Sequence, residues 1–276
     1  MCSDRSRTAM RPKPKKSLGQ NFLQDHNIRR KIVEACDFSS SDTVIEIGPG
    51  QGAMTGLIAA RVKRLIAVEL DDILAASLEE RYKDDPVVTI VHGDILSCDI
   101  EALAGRNFHG KLFVFGNIPY YITSPIIEHL FRFRSIITAV YLTVQKEFGK
   151  RIAASAGSDD YGSFSCFVQY FSKPKIEFIV KRTCFYPEPK VDSCFLSLAI
   201  RSKPPVDVAD EELFFKIIRA SFQKRRKQMR NSVKDVVPGE KMARALAACG
   251  INPKIRSEEL DLSQFAAIVN AIVYEK

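Results

Sequence analysis

A glycine-rich turn follows an apolar run near residue 47 and leads directly into a helical pattern. It reads Glu46-Ile47-Gly48-Pro49-Gly50-Gln51-Gly52. Glycine lets the backbone turn sharply and lets a ligand approach the main chain closely. The spacing differs from G-x-G-x-x-G, because the third glycine comes one residue early and Pro49 separates the first two. We therefore interpret the turn as packing a nucleoside rather than a pyrophosphate, with a purely structural turn as the alternative.

Two carboxylates follow the next two apolar runs. Glu69 ends the second run, twenty-one residues after Gly48, and Asp94 follows the third in His92-Gly93-Asp94. An acid at the first position can accept hydrogen bonds from both ribose hydroxyls, and one at the second can accept from an adenine amino group. A carboxylate of this kind, taken alone, is more often a solvated loop acid. Their order after consecutive runs predicts a nucleoside cleft.

The fourth apolar run ends in Asn117-Ile118-Pro119-Tyr120. The exocyclic amine of a base is a poor nucleophile, because its lone pair is conjugated with the ring. The side-chain oxygen of Asn117 and a backbone carbonyl near Pro119 can hold both amine protons, which favours a pyramidal nitrogen able to attack an electrophilic methyl group. Tyr120 can stack on a base that has left its own stack. The alternative is a helix-capping Asn before a proline turn.

These residues need a scaffold that brings the ends of successive runs together. Apolar, β-branched runs alternate with helical patterns, and the predicted strands are Thr43–Ile47, Leu65–Leu70, Val87–Val91, Leu112–Phe115, Ala139–Val144, Ile176–Val180 and Cys194–Ile200. This alternation predicts an α/β fold with a parallel sheet and helices on both faces. The last two strands lack a long helix between them, which suggests an antiparallel ending.

The segment Ser202-Lys203-Pro204-Pro205 is the best candidate for a domain boundary, because no convincing strand pattern follows it. We predict a helix capped by Asp210, a basic helix from about Phe222, a helix ending at Gly250 with a left-handed cap, and an apolar helix to Tyr274.

The net charge of +8 suggests a polyanionic partner only weakly, but its distribution is uneven. Residues 42–110 carry −6, whereas 1–41, 111–202 and 203–276 carry +5, +5 and +4. Lys224, Arg225, Arg226, Lys227 and Arg230 lie in a run of eleven residues without an acid. A solvated helix face is the ordinary explanation of such a run. Its place beyond the predicted cleft favours contacts with phosphates, which give affinity without base specificity.

The seven cysteines are odd in number and show no C-x-x-C spacing, and the four histidines form no metal-ligand pattern. We therefore expect reduced thiols in a cytoplasmic protein and no metal site. The basic start lacks the apolar core of a secretory signal, and no stretch is apolar enough to span a membrane. A dehydrogenase is disfavoured by the glycine spacing and by the absence of a candidate acid for hydride transfer.

These motifs together resemble the KsgA-type small-subunit rRNA adenine dimethyltransferases over essentially the whole chain. The most specific matches are the N-terminal motif Ser17-Leu18-Gly19-Gln20-Asn21-Phe22-Leu23, the motif Phe185-Tyr186-Pro187-Glu188-Pro189-Lys190-Val191-Asp192-Ser193 and the basic segment from Ser221 to Asn231. The glycine turn is shared by many methyltransferases. The part before Lys15 matches least.

The resemblance implies a class I methyltransferase fold, with a Rossmann-like sheet and a small all-helical C-terminal domain. The basic start predicts a flexible arm at 1–15. The boundary near Ser202 then predicts a methyltransferase domain at 16–202 and an RNA-binding domain at 203–276. The expected cofactor is S-adenosylmethionine, bound by Gln20, Asn21, Leu23, Gly48, Gly50, Glu69, Asp94 and Asn117. Phe185 would sandwich the flipped adenine against Tyr120, with core filling as its alternative role.

The implied activity is methylation at N6 of two adjacent adenosines in a hairpin near the 3′ end of small-subunit rRNA, within an assembling small subunit. We expect a monomer that needs no membrane. One alternative is a large-subunit rRNA adenine methyltransferase of the macrolide-resistance type, which shares the catalytic core. The other is a non-catalytic RNA-binding assembly factor, against which the intact Asn117–Tyr120 motif argues.

Overall fold

The computed structural model describes residues 14–15, 19–105, 108–224 and 227–275. The strands are β1 (Phe22–Leu23), β2 (Thr43–Ile47), β3 (Arg64–Glu69), β4 (Val88–His92), β5 (Leu112–Asn117), β6 (Ile137–Gln145), β7 (Ser172–Val180), β8 (Phe185–Tyr186) and β9 (Ser193–Ile200). The helices are α1 (His26–Glu34), α2 (Thr55–Ala59), α3 (Asp72–Tyr82), α4 (Ile100–Ala104), α5 (Thr123–Arg132), α6 (Lys146–Ala153), α7 (Ser163–Phe171), α8 (Glu211–Gln223), α9 (Met229–Ser232), α10 (Gly239–Ala248) and α11 (Leu262–Tyr274).

The chain divides into two compact units. The first contains the described residues up to Ile136 together with Val180–Ser193, and the second contains Ile137–Ile179 and the described residues from Cys194 onward. The predicted boundary near Ser202 does not coincide with either division. The arm at 1–15 and the domains at 16–202 and 203–276 therefore stay predictions, and residues 1–13 lie outside the described part.

The first unit contains four neighbouring strands in the order β4-β3-β2-β5, and a separate antiparallel ribbon of β1 and β8. All three neighbouring pairs are parallel and in register, with Ile47 opposite both Val68 of β3 and Gly116 of β5. Every residue of β2 is buried, as is typical of a parallel strand covered on both faces. This register brings the carboxyl ends of the four strands to one edge.

The second unit contains strands in the order β6-β9-β7 and the helices α6 to α11. All seven predicted strands are present, and the largest difference is the start of β7 at Ser172 instead of Ile176. No strand follows Ile200 in the described residues. Asp210 caps α8 by accepting from the Leu213 N–H, and Gly250 follows α10 with a φ of +66°, so both predicted helix ends are confirmed.

The predicted basic helix from Phe222 is wrong in the described residues. Helix α8 ends at Gln223. The backbone is extended at Gln228, the residue that precedes the short α9. The Met229 N–H donates to the Ile255 carbonyl at 2.9 Å, so it cannot pair within a continuous helix. Consecutive like charges also disfavour a helix at this point. Among the described residues, no helix is long and apolar enough to cross a membrane.

Candidate active site

A cavity of about 650 Å³ opens at the carboxyl ends of β2, β3, β4 and β5 in the first unit. Almost every predicted cofactor and catalytic residue lines it: Gln20, Asn21, Leu23, Gly48, Gly50, Glu69, Asp94, Asn117, Pro119 and Tyr120. Phe185 is the predicted catalytic residue that is not part of this lining. The parallel register therefore brings together side chains that lie up to a hundred residues apart in sequence.

Glu69 holds the glycine turn in place. Its buried carboxylate accepts from the Gly50 N–H and from the Asp71 N–H, both at 2.9 Å. Burial raises the pKa of Glu69, and these two N–H groups oppose that rise. Each carboxylate oxygen keeps a second lone pair, so Glu69 can still accept from a ligand.

Asp94 and Gly48 leave the cavity open to a nucleoside. Asp94 accepts from the Leu96 N–H through Oδ1 at 2.9 Å, and its exposed carboxylate keeps Oδ2 for a further donor. Gly48 has a φ of +64°, and a Cβ built on it would meet no atom within 4 Å. The main chain at Gly48 is therefore accessible to a ligand at close range.

The described residues before β1 are fastened to the start of α3, and Gln20 and Asn21 among them line the cavity. Lys15 Nζ lies 3.0 Å from Asp71 and 3.1 Å from Asp72, and the Gln20 amide donates to Asp71 at 3.3 Å. Burial favours a higher pKa for Asp71, but Lys15 outweighs it and keeps the pKa below its usual value. The Lys15 backbone N–H also donates to Gln20 Oε1. Ser17 and Leu18 of this motif lie outside the described residues.

Asn117 is oriented by the same segment. Its Nδ2 donates to the Asn21 backbone carbonyl at 3.1 Å, which directs the other end of the amide, Oδ1, away from Asn21. The Pro119 carbonyl accepts from the Ile122 N–H, so the Ile118 carbonyl is the backbone acceptor left beside Asn117. One side-chain oxygen and one carbonyl can thus face the two N–H groups of an amine.

The two predicted stacking residues differ in their surroundings. The Tyr120 hydroxyl lies 2.7 Å from Ser193 Oγ, which fixes its ring at the cavity wall. Phe185 pairs with Leu23 across the β1–β8 ribbon, and both side chains are buried. Tyr186 pairs with Phe22 on the other face of the ribbon and is 58% exposed.

The comparisons with known proteins agree with this geometry. The family described as "Ribosomal RNA adenine dimethylase" matches residues 11–273. The chain is 43% identical over 266 residues to "Ribosomal RNA small subunit methyltransferase A" of Geobacillus thermodenitrificans (strain NG80-2), covering 94% of this chain and 91% of that protein. It is 44% identical over 262 residues to the protein of the same name from Moorella thermoacetica, covering 92% and 91%.

The chain belongs to the ribosomal RNA adenine dimethylase family. Among solved structures, a dimethyladenosine transferase from Plasmodium falciparum has a TM-score of 0.77 and 25% identity, covering 90% of this chain and 95% of its own. The structure titled 23S rRNA methyltransferase ErmE has a TM-score of 0.70 and 24% identity, covering 91% and 99%, and shows the shared fold alone. The predicted family and the Rossmann-like class I methyltransferase fold are confirmed.

Members of the ribosomal RNA adenine dimethylase family are S-adenosylmethionine-dependent, and the cavity fits that cofactor. The open approach at Gly48 can accommodate a nucleoside against the main chain, while Glu69 and Asp94 provide acceptors for hydroxyl and amino donors. Asn21 and Leu23 also line this cavity. In the parts of the chain that the structure covers, no group of three metal-binding side chains occurs.

The basic segment of this dimethylase lies in the second unit and is partly described. Lys227 and Arg230 are exposed, whereas Lys224 pairs with Asp235 at 3.0 Å. Arg225 and Arg226 lie outside the described residues.

Sequence reasoning missed Lys15, Asp71 and Glu46. Asp71 has a recognisable signal, because it precedes α3 and caps it by accepting from the Ile73 and Leu74 N–H groups. No local sequence signal indicates the pairing of Asp71 with Lys15, since 55 residues separate the two in the sequence. Glu46 falls within the predicted strand Thr43–Ile47, and its side chain is buried there although it borders the cavity.

Gly50→Ala should damage the cofactor site beyond the ordinary cost of a left-handed residue. Gly50 has a φ of +60°, which costs a residue with a Cβ roughly 1–2 kcal/mol. Its Cβ would also lie 2.9 Å from the Phe22 ring, so that ring must move. We expect at least a tenfold loss of S-adenosylhomocysteine affinity, or about 1.4 kcal/mol, measured by calorimetry.

Gly250→Ala is the matched control, because Gly250 has a φ of +66° and open space around its Cβ position. It should lower the unfolding free energy similarly while leaving cofactor affinity intact. Unchanged affinity in the Gly50→Ala variant would contradict our account of the turn.

Proposed function

We propose that this chain transfers methyl groups from S-adenosylmethionine to N6 of two adjacent adenosines in a hairpin near the 3′ end of small-subunit rRNA. The observation that carries this proposal is the convergence of Asn117 and Tyr120 with Glu69 and Asp94 around one cavity. Two relatives named for the small subunit are 43% and 44% identical to this chain over more than nine tenths of its length. The small-subunit assignment is therefore favoured over the macrolide-resistance type, and the intact motif disfavours a non-catalytic assembly factor.

Catalysis in this proposal consists mainly of orientation. When bound, S-adenosylmethionine supplies an electrophilic methyl group. Asn117 Oδ1 and the Ile118 carbonyl accept the two N–H groups of the target amine, which turns its lone pair out of conjugation. The hydrogen bond from Asn117 Nδ2 to Asn21 keeps that oxygen in place before the substrate arrives. Fixed acceptors of this kind avoid reorganisation at the moment of reaction.

The target base must leave its stack and be held by aromatic rings. Tyr120 supplies one ring, anchored by Ser193. We assign the opposite ring to Phe185, following the family motif. Because Phe185 is only 5% exposed, this role requires its side chain to rotate out of the contact with Leu23 when the base enters. Base stacking on an aromatic side chain contributes roughly 1–3 kcal/mol.

The partner proposed is rRNA within an assembling small subunit, bound by a single copy of this chain in the cytoplasm. Lys227 and Arg230 are exposed and suited to phosphate contacts. Their neighbours in the sequence Lys224, Arg225 and Arg226 belong to the same basic segment, which we propose as RNA-binding. Lys224 must exchange its pairing with Asp235 for a phosphate.

Asn117→Ala should reduce methyl transfer by about 10²–10³-fold, because one of the two amine acceptors is lost. The measurement is incorporation of labelled methyl into isolated small subunits that lack the modification, followed by nucleoside analysis. S-adenosylhomocysteine affinity is measured in parallel to separate binding from chemistry. Asn252→Ala, a loop asparagine that accepts from the Lys254 N–H, is the control. Dimethyladenosine formation near the wild-type rate in the Asn117 variant would refute the mechanism.

Phe185→Ala and Tyr186→Ala test which aromatic residue opposes Tyr120. We expect Phe185→Ala to lower kcat/KM for RNA about tenfold to a hundredfold, the kinetic equivalent of roughly 1–3 kcal/mol of stacking. Tyr186→Ala should change it less than threefold. Phe185→Leu keeps the buried contact with Leu23 and should lose activity while remaining folded. A large loss in the Tyr186 variant alone would move the assignment to that residue.

Lys227→Gln and Arg230→Gln should weaken RNA binding without changing the methylated position. Each lost phosphate contact should flatten the slope of log K against log salt by about 0.7–0.9. Binding is measured by titration of unmodified small subunits at several salt concentrations. Lys216→Gln, which removes a cation paired with Glu212 on α8, should leave the slope unchanged. An unchanged slope in both test variants would exclude this segment from the RNA interface.

A further inference from the structure

Tyr121 is an exposed aromatic residue at the cavity, and the mechanism above does not use it. Its side chain is 64% exposed, although it lines the same cavity as Tyr120. Among the described residues that line this cavity, Leu70 is the other large apolar side chain with such exposure, and it follows Glu69 at the end of β3. Tyr121 instead directly follows the catalytic motif that begins at Asn117. Its ring therefore presents an apolar surface to a ligand that enters beside that motif.

A single 3₁₀ turn gives Tyr120 and Tyr121 different surroundings. The turn covers Tyr120–Ile122 and leads directly into α5. Successive side chains of a 3₁₀ turn point about 120° apart, because one turn contains three residues. The hydroxyl of Tyr120 is held by Ser193, so its ring is fixed in the cavity wall. Tyr121 consequently points to solvent at the mouth of the cavity.

The N-terminal segment supports the Tyr121 ring. A Cβ built on Gly19 would lie 3.2 Å from this ring and 3.4 Å from Pro119, and Gly19 has a φ of +60°. The glycine backbone therefore lies directly against the ring, where a larger residue would displace it. The Gly19 carbonyl also accepts from the Asn21 side chain at 3.1 Å. The ring is thus supported by a segment that itself lines the cavity, while most of its surface remains accessible.

A substrate whose base has left its stack needs an aromatic surface of this kind. When one nucleotide enters the pocket, the base next to it loses a stacking partner and exposes an apolar face to water. An aromatic side chain can replace the lost partner, and the gain increases with the stacking strength of the base. Adenine, as a purine, stacks more strongly than a pyrimidine does. An exposed tyrosine beside the pocket is therefore suited to an adenosine that neighbours the target.

We propose that Tyr121 stacks on the nucleotide beside the target, which in this substrate is the second of the two adjacent adenosines. Tyr120 and Phe185 hold the adenosine that is being methylated, and Tyr121 holds its neighbour. A dimethylated adenine has no N6–H left for Watson–Crick pairing, so it can occupy Tyr121 while the second adenosine enters the pocket. Tyr121 is therefore a specificity-determining residue. This inference rests on the proposed function for the identity of the substrate.

Tyr121→Leu removes the ring and keeps an apolar side chain against Gly19. We expect it to raise KM for unmodified small subunits about tenfold and to change kcat less than about threefold, because the neighbouring base stacks equally before and during methyl transfer. Tyr121→Phe keeps the ring and should resemble the wild type. Tyr274→Leu, at a 73% exposed tyrosine that ends α11, is the matched control. Affinity for S-adenosylhomocysteine, measured by calorimetry, should be unchanged in all three variants.

A second measurement identifies the base that Tyr121 contacts. Small subunits are reconstituted with rRNA in which one or the other of the two target adenosines is replaced by uridine. One adenosine then remains to be methylated beside a weakly stacking base. We expect the wild type to lose about fivefold in kcat/KM on the substrate that has lost the contacted neighbour, and Tyr121→Leu to lose less than about twofold, because leucine cannot stack on either base.

Three results would overturn the proposal. An unchanged KM in Tyr121→Leu, or equal losses of both enzymes on the uridine-substituted subunits, would show that the ring does not contact the neighbouring base. A fall in S-adenosylhomocysteine affinity as large as the rise in KM would assign Tyr121 to supporting the N-terminal segment through Gly19. Absence of methyl transfer by the wild type refutes the proposed function, whereas these three results refute the role of Tyr121 in an active enzyme.

Discussion

The parallel pairing of β2 with β3 and β5 is the constraint on which the site depends. Parallel strands in register end at the same edge, so the residue after each strand faces a common space. Gly48, Glu69, Asp94 and Asn117 occupy those positions after β2, β3, β4 and β5 or at their ends. A shift of register by one residue would separate these four residues along the edge.

Around this edge, carboxylates act first on the protein's own backbone. Glu69 accepts from Gly50 and Asp71, and Asp71 and Asp94 each accept N–H groups at the start of a helix or 3₁₀ turn. Backbone N–H groups therefore stabilise part of the negative charge in the acidic block between residues 42 and 110. Lys15 adds a full positive charge beside Asp71 and Asp72. The negative charge that the sequence places near a polyanionic substrate is consequently less than its formal count.

The sequence predicts the residues at the carboxyl ends of the parallel strands well. It predicts poorly the N-terminal segment and the β1–β8 ribbon. Glu69, Asp94 and Asn117 are predictable because each ends or follows an apolar run whose length and spacing define a buried strand. Phe185 is different, since the β1–β8 ribbon has two residues per strand and shows no periodicity. Only the pairing of Phe185 with Leu23 reveals which of Phe185 and Tyr186 is buried. The ion pair between Lys15 and Asp71 likewise depends on tertiary structure alone.

The orientation of the Asn117 amide depends on the N-terminal segment. An amide side chain can present either its oxygen or its nitrogen, and only the oxygen can accept from an amine. The Asn21 carbonyl accepts a hydrogen bond from the amide nitrogen of Asn117, so the amide oxygen stays available to accept from an amine. Asn21 is held in a segment that Gln20 and Lys15 fasten to α3. The amide of Asn117, the acceptor in the proposed mechanism, is thus oriented by a backbone carbonyl 96 residues away, in a segment that also lines the cavity. The N-terminal segment lines the cavity and also accepts the hydrogen bond from Asn117. Ordering of this segment and orientation of the amine acceptor are therefore physically coupled.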